Sequence, residues 1–219
     1  RIVAVAPHAL TNHEKTGVIG ARPEYFPTGG KVTRTEAIEA SLEALTGKEV
    51  IVATTGKTGR ELFSVSDSAN HFYVVGGMGT ASAIGLGINH AKPDQRVVVL
   101  DGDGAALMKM GVFATIGRYQ PEGLIHLILD NEQHDSTGGQ STASSSTDFA
   151  AIAAASNYRH AFSLERPEDL STVLKRLSTE SGPALIHMKI RPGSPENLGR
   201  PTVKPREVKE RLMKFIRRQ

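Results

Sequence analysis

Cysteine and tryptophan are both missing from the 219 residues. Without cysteine there is no disulfide frame and no thiolate metal site, and the expected setting is a reducing one such as the cytoplasm. Aromatic residues amount to 5%, too few for the stacked platforms that hold single-stranded nucleic acid. No apolar run approaches the ~18 residues of a membrane span, and no signal peptide is visible. Neither sign of charge dominates: 26 Lys and Arg stand against 23 Asp and Glu, a formal net charge of +3. Much of the positive excess falls in residues 204–218, where Glu207 and Glu210 interrupt it. That is the pattern of a solvated helix face rather than a nucleic-acid patch. Neither nucleic acid nor membrane is expected as a partner.

Glycine is plentiful, with 22 residues, and it gathers in clusters behind apolar runs. EVIVAT (49–54) leads into TGKTGRE, HFYVV (71–75) into GGMG, and RVVVLD (96–101) into GDG. LIHLILD (124–130) leads into NEQHDSTGGQSTASSST, and ALIHMKI (184–190) closes the series. Runs that are apolar throughout suit strands buried on both faces. Helical patterns stand between them. Thr33 and Glu36 form a T-x-x-E capping box ahead of Ile38, Leu42 and Leu45 at helical spacing, with Gly47 as the stop. Further helices are expected over 80–91, from about 105 to 119 and over 149–155, with another opened by Pro167, Glu168 and Asp169. A terminal helix sets Val208, Leu212, Phe215 and Ile216 on one face and is read as packed on this domain. The Ser/Thr-rich stretch 141–147 reads as a mobile loop. Strand and helix alternate, which predicts an α/β fold with a mostly parallel sheet and helices on both faces. Residues 1–32 lack periodicity and read as a linker or the tail of a further half; 33–219 is the expected domain.

In such sheets ligands collect at the carboxyl ends of the strands. Here those ends carry TTGKTG, GGMG, DGDG and DNEQHDSTGG. GGMGTAS resembles a dinucleotide fingerprint, but Ser82 stands where the third glycine belongs. TGKTG contains the end of a phosphate loop, but the first glycine of that motif would fall at Ile51. Asp103 lies between Gly102 and Gly104, where the chain can turn sharply. Alone it would read as a helix N-cap. One helix and one strand later comes Asp130-Asn131, which a crossover of that length returns to the same edge. A carboxylate, an amide oxygen and nearby carbonyls suit Mg2+, which often bridges to substrate phosphates.

Gly102-Asp103-Gly104 followed by Asn131, each at the end of an apolar strand, resembles the signature of thiamine-diphosphate-dependent enzymes. ATTGKTGRELF, VGGMGTASAIGLG, VVVLDGDGAALMKMGVFATIG and LDNEQHDSTGGQST resemble the phosphonopyruvate decarboxylase family, with sulfopyruvate decarboxylases as the near competitor. The resemblance spans roughly residues 34–216 and implies their diphosphate-binding domain. It implies Mg2+ held by the side chains of Asp103 and Asn131 and the carbonyl of Gln133. It implies thiamine diphosphate held by Thr55, Gly56, Thr58, Gly77, Gly102, Gly104, Ala105 and His134, with Met78 as the wedge that bends it. Lys57, Arg60 and His134 are the candidates to meet an anionic 2-oxoacid substrate, with Thr137 and Gln140 on the same loops; Asp135 reads as a turn residue. Glu132 departs from a common glycine and Ala105 from a frequent serine. The implied reaction is decarboxylation of phosphonopyruvate to phosphonoacetaldehyde and carbon dioxide. Such enzymes also need a pyrimidine-binding half, for which residues 1–33 leave no room. A partner subunit or preceding region is therefore expected, in a homo- or hetero-oligomer. Sulfopyruvate decarboxylation by a beta-type subunit, another thiamine-dependent 2-oxoacid reaction, and a non-catalytic cofactor-binding or assembly role are the alternatives.

Overall fold

The computed structural model describes residues 21–218. The chain runs through β1 (Glu24–Tyr25), α1 (Arg34–Ala44), β2 (Val50–Ala53), α2 (Lys57–Val65), β3 (His71–Tyr73) and α3 (Ala81–Ala91). Next come β4 (Val97–Gly102), α4 (Asp103–Met108), α5 (Gly111–Tyr119), β5 (Leu124–Asp130), β6 (Gln133–His134) and β7 (Gln140–Ser141). A 3-10 turn (Ala143–Ser146), α6 (Phe149–Ala155), β8 (His160–Leu164), α7 (Pro167–Leu177), β9 (Ala184–Lys189) and α8 (Pro205–Arg217) complete it.

Seven strands form one sheet in the order β1-β8-β9-β5-β4-β2-β3, with every pairing parallel. Val, Ile and Leu fill β4 and β5 because both faces are covered. Odd residues of β4 (Val97, Val99) face α3, α5 and α6, and even ones (Val98, Leu100) face α1, α2 and α7. Each such buried side chain contributes about 1.5–3 kcal/mol relative to exposure. Helix α8 covers the β3 edge, sending Val208 into one layer and Leu212 into the other, so that edge is not left open to pairing. The expected face of the terminal helix is thus the packed one. No helix among the described residues is long and apolar enough to cross a membrane.

Four features differ from the sequence reading. The helix expected over 105–119 is two helices, broken where Lys109 leaves helical geometry (φ −129°, ψ 35°). The polar stretch after β5 is not a mobile loop: β6 and β7 pair antiparallel, and Thr142 and Ser144 are buried. Strand β8, lying between β1 and β9, went unrecognised because its apolar residues are few. The reading of 1–32 as a linker falls mostly on residues 1–20, outside the described residues; Glu24 and Tyr25 join the sheet edge against Phe162 and Ser163.

Candidate functional site

The chain leaves β2 outward to β3, then returns across β2 to lay β4 on its other side. The connections after β2 and β4 therefore diverge, and a crevice opens between them, as at the switch point of other parallel sheets. A cavity of about 440 Å3 fills it. Its walls include Thr54, Thr55, Gly56, Lys57 and Thr58 after β2, Met78 before α3, and Gly102, Asp103, Gly104 and Ala105 after β4. Asn131, Gln133 and His134 close the third side after β5. Most of the residues singled out by sequence are thus brought together. Three are not in this lining: Gly77, Arg60 and Gln140. Gly77 sits in the turn behind, where a Cβ would lie 2.7 Å from the Thr80 hydroxyl. Arg60 faces a second cavity beyond the Thr54–Gly56 loop, and its guanidinium donates to the carbonyls of Leu198 and Gly199. Thr137 lines the first cavity and its hydroxyl lies 3.3 Å from Gln140 Oε1.

The two aspartates of DGD have different tasks. Asp101 is fully buried on the α5–α6 side of the sheet; its Oδ1 accepts from the Gly102 amide at 3.0 Å, and its Oδ2 lies 3.2 Å from His126 Nε2. It fixes the turn. Gly102 is still extended (φ −114°, ψ 156°), and Asp103 begins α4 directly after it. Asp103 is 3% exposed and lines the cavity. Burial pushes its carboxyl above the ordinary range, the Thr142 hydroxyl and the Gly104 amide pull it back, and the charge of Asp130 adds to the push. Among the described residues no lysine or arginine pairs with it.

Asp130 and Asn131 point to opposite sides, as successive strand residues must. Asp130 is outside the cavity lining and fully engaged. His187 Nε2, Lys189 Nζ and Ser144 Oγ each reach it at 2.8 Å, and the Glu132 amide donates to it at 2.9 Å. Burial alone would raise its pKa, but those donors and their charge hold it well below the usual carboxylate range. The His187–Asp130 pair repeats the His126–Asp101 pair one strand over. Each histidine sits beside the residue two before its aspartate: His126 opposite Val99, His187 opposite Ile128.

Asn131 faces the cavity. Its Nδ2 donates to Asp135 Oδ2 at 2.6 Å, leaving Oδ1 with only a 3.3 Å contact from the Gln133 amide. Asp135 is in turn gripped at 2.7 Å by Arg34, whose other terminal nitrogen reaches the buried Glu61 at 2.7 Å. Asp135 is therefore more than a turn residue, and Arg34, Thr142 and Ser144 are site residues that sequence reasoning missed. Only the capping box, which sets Arg34 at the head of α1, hinted at any of them. Glu132 adopts φ 61°, the left-handed conformation that favours glycine; the position where glycine is common keeps that backbone shape here with a glutamate in it. The His134 ring lies over Gly104: a Cβ there would sit 2.5 Å from His134 Cε1.

The chemistry of this edge fits a cation and a phosphorylated group. Among the described residues no three His, Asp or Glu side chains cluster. A cation here would rest on one carboxylate, one amide oxygen and carbonyls, the hard oxygen set that Mg2+ takes alongside phosphate. Thr54 belongs to the cavity wall and its buried hydroxyl has no hydrogen-bond partner, and the small residues Gly56, Gly104 and Ala105 leave backbone amides within a ligand's reach.

Fold and cavity together define a diphosphate-binding α/β domain of the thiamine-dependent type. The family described as thiamine pyrophosphate enzyme, C-terminal TPP binding domain, matches residues 54–188, and the chain belongs to it. Among curated relatives it is 47% identical over 206 residues to phosphonopyruvate decarboxylase of Streptomyces hygroscopicus, covering 94% of this chain and 49% of that protein. The chain thus spans about half the length of that relative. It is 36% identical over 188 residues to the sulfopyruvate decarboxylase beta subunit of Methanococcus maripaludis, covering 86% of this chain and 100% of that subunit. A thiamine diphosphate-dependent 4-hydroxybenzoylformate decarboxylase from Rhodococcus jostii shares the fold, with a TM-score of 0.64 at 18% identity over 83% of this chain and 37% of that one.

Proposed function

We propose that this chain supplies the diphosphate- and Mg2+-binding half of a 2-oxoacid decarboxylase that converts phosphonopyruvate to phosphonoacetaldehyde and carbon dioxide. The observation that carries the reading is the meeting of Asp103 and Asn131 in one cavity, on adjacent strand ends, with no cationic side chain among the described residues paired to Asp103. Asp103 and Asn131 hold Mg2+ through side-chain oxygens, and Gln133 adds its carbonyl. The Gly104 and Ala105 amides, the Thr55–Thr58 loop and the Thr54 hydroxyl bind the diphosphate. Met78 supports the cofactor from the side. Thiamine diphosphate supplies the electron sink for loss of carbon dioxide.

The chain's own residues position the substrate. Lys57 and His134 line the same cavity as Asp103 and meet the substrate's anionic ends. Arg60 is held by two carbonyls of the segment before α8 and supports the wall from behind. The residues from Glu24 on, β1 included, act as the domain, in the cytoplasm, in an oligomer with a pyrimidine-binding half on a partner subunit or a preceding region. The likeness to a complete beta subunit favours a second reading, sulfopyruvate decarboxylation by a two-subunit enzyme.

The test is turnover by the chain joined to its pyrimidine-binding half, with Mg2+ and thiamine diphosphate. The kcat/KM values for phosphonopyruvate, sulfopyruvate and pyruvate are compared. Preference for phosphonopyruvate is expected. Preference for sulfopyruvate selects the second reading, and turnover of none of them with cofactor bound overturns both.

A further inference from the structure

We propose that Thr142 is a positioning residue for the Asp103 carboxylate, and that the Thr142–Ser144 hydroxyl pair ties that carboxylate to the buried Asp130 anchor. The inference rests on the reading of Asp103 as a cation ligand.

Asp103 follows a glycine and heads a short helix, so little in its own element fixes its side chain. The Thr142 hydroxyl does, by donating to Oδ2. Thr142 is itself held by the main chain: its amide donates to the Glu132 carbonyl at 2.9 Å. Its oxygen lies 2.9 Å from Ser144 Oγ and accepts from the Ser144 amide at 3.3 Å. Ser144, 1% exposed, donates its hydroxyl hydrogen bond to Asp130 Oδ1 at 2.8 Å, so its amide is the donor that joins it to Thr142. Asp130 is then immobilised by His187, Lys189 and the Glu132 amide. A continuous path of short contacts thus runs from the cavity to β9 without using any group that lines the cavity except Asp103.

The arrangement suits the cation the site would take. Mg2+ demands near-octahedral oxygen geometry and tolerates little error in ligand direction. With Oδ2 engaged by Thr142, Oδ1 is the oxygen left to serve as a single, directed ligand. The hairpin β6–β7 that carries Gln133 and His134 returns into Thr142, so the same two hydroxyls also fix the loop that supplies the third ligand. Partners of this kind behind a metal ligand typically account for 10–100-fold in metal affinity.

The probe is Mn2+, a paramagnetic divalent ion that carboxylate and carbonyl ligands also accept. Its binding to the chain joined to its pyrimidine-binding half, with saturating thiamine diphosphate, is read by electron paramagnetic resonance. Thr142→Val keeps the shape and removes the hydroxyl; its Mn2+ affinity is expected to fall about 10–100-fold. Thr142→Ser restores the hydroxyl and is expected to bind within about threefold of the unaltered chain, a difference of only ~0.7 kcal/mol. Ser144→Ala, which leaves Thr142 in place but unties it from Asp130, is expected to weaken binding by an intermediate factor, and it keeps the test decisive if Thr142→Val does not fold. Asp103→Asn is the reference and is expected to lose Mn2+. If Asp103→Asn loses Mn2+ while Thr142→Val and Ser144→Ala bind as the unaltered chain does, the positioning role is overturned and the site reading stands. If Thr142→Ser is as weak as Thr142→Val, the hydroxyl is not the operative group. If Asp103→Asn binds Mn2+ normally, or the unaltered chain does not bind it, the site reading falls and the inference with it.

Discussion

Replacing Arg34 by methionine removes a buried cation shared by two carboxylates, Glu61 and Asp135. Arg34 Nη1 meets Glu61 Oε1 and Nη2 meets Asp135 Oδ2, both at 2.7 Å, and a third contact reaches Ser194 Oγ at 3.0 Å. The side chains of Arg34 and Glu61 are only 5% and 1% exposed. Methionine matches the length of the stem but leaves Glu61 with a single donor, the Thr35 hydroxyl at 2.9 Å. Asp135 keeps the Asn131 amide at 2.6 Å and is less buried, so Glu61 carries the larger share of the cost. Breaking a buried pair from one side typically costs 3–5 kcal/mol. At a urea m-value of about 2 kcal/mol/M, the midpoint should fall by about 1.5–2.5 M. Arg34→Met/Glu61→Leu should regain more than half of that loss, because an apolar pair needs no desolvation of charge. Equilibrium urea unfolding followed by circular dichroism measures both variants. A midpoint shift below about 0.5 M for Arg34→Met, or a double variant no more stable than the single one, would refute the account of this pair.

Two further outcomes follow from the packing. Gly117 on α5 lies so close to the Ser156 carbonyl that an added Cβ would overlap it; Gly117→Ala should therefore cost about 1–3 kcal/mol through displaced backbone, visible as a lowered Tm. Arg211 on α8 grips Asp67 at 2.7 and 2.8 Å, and that hydrogen-bonded cation lowers the Asp67 pKa below its ordinary 3.8. A depressed carboxylate stabilises the fold above its unfolded pKa and loses that stabilisation as pH falls through the folded one. Arg211→Gln should be less stable by about 0.5–1 kcal/mol at pH 7, with the difference shrinking in urea titrations as pH falls below the ordinary carboxylate range. A difference that persists unchanged below that range would assign the effect to packing of the arginine stem.

The architecture was legible where one residue class repeats locally. Val97–Leu100 is an unbroken apolar run and Leu124–Leu129 is interrupted only by His126, a pattern that a strand covered on both sides requires, and Thr33–Glu36 announces a helix start within four residues. The edge carrying Asp103 and Asn131 was legible because glycine isolates the acid and the strands deliver both residues to one end. Strand β8 was not, since HAFSL owes its place to its neighbours β1 and β9. Arg34 was not, because its partners lie 27 and 101 residues away and nothing near it in sequence says that it turns inward. The Ser/Thr-rich stretch is placed for the same reason: by composition it belongs in water, yet the hydroxyls of Thr142 and Ser144 are buried because two carboxylates, one of them 39 residues distant, need donors. Local pattern reports what a segment can do alone, and these groups are placed by charges elsewhere.

The paired histidines set a limit on how this chain can vary. His126 looks back to Asp101, and four residues on, from the same face of the same strand, Asp130 looks forward to His187. Strand β5 therefore carries one member of each pair, and the two are in phase only because an even number of steps separates them. A single residue inserted or deleted within Leu127–Leu129 would turn one of them to the opposite layer, stranding a carboxylate or an imidazole among apolar side chains. The hairpin beyond β5 can lengthen or shorten without touching that phase. Change in length is open to the loops of this edge and closed to the strand beneath them.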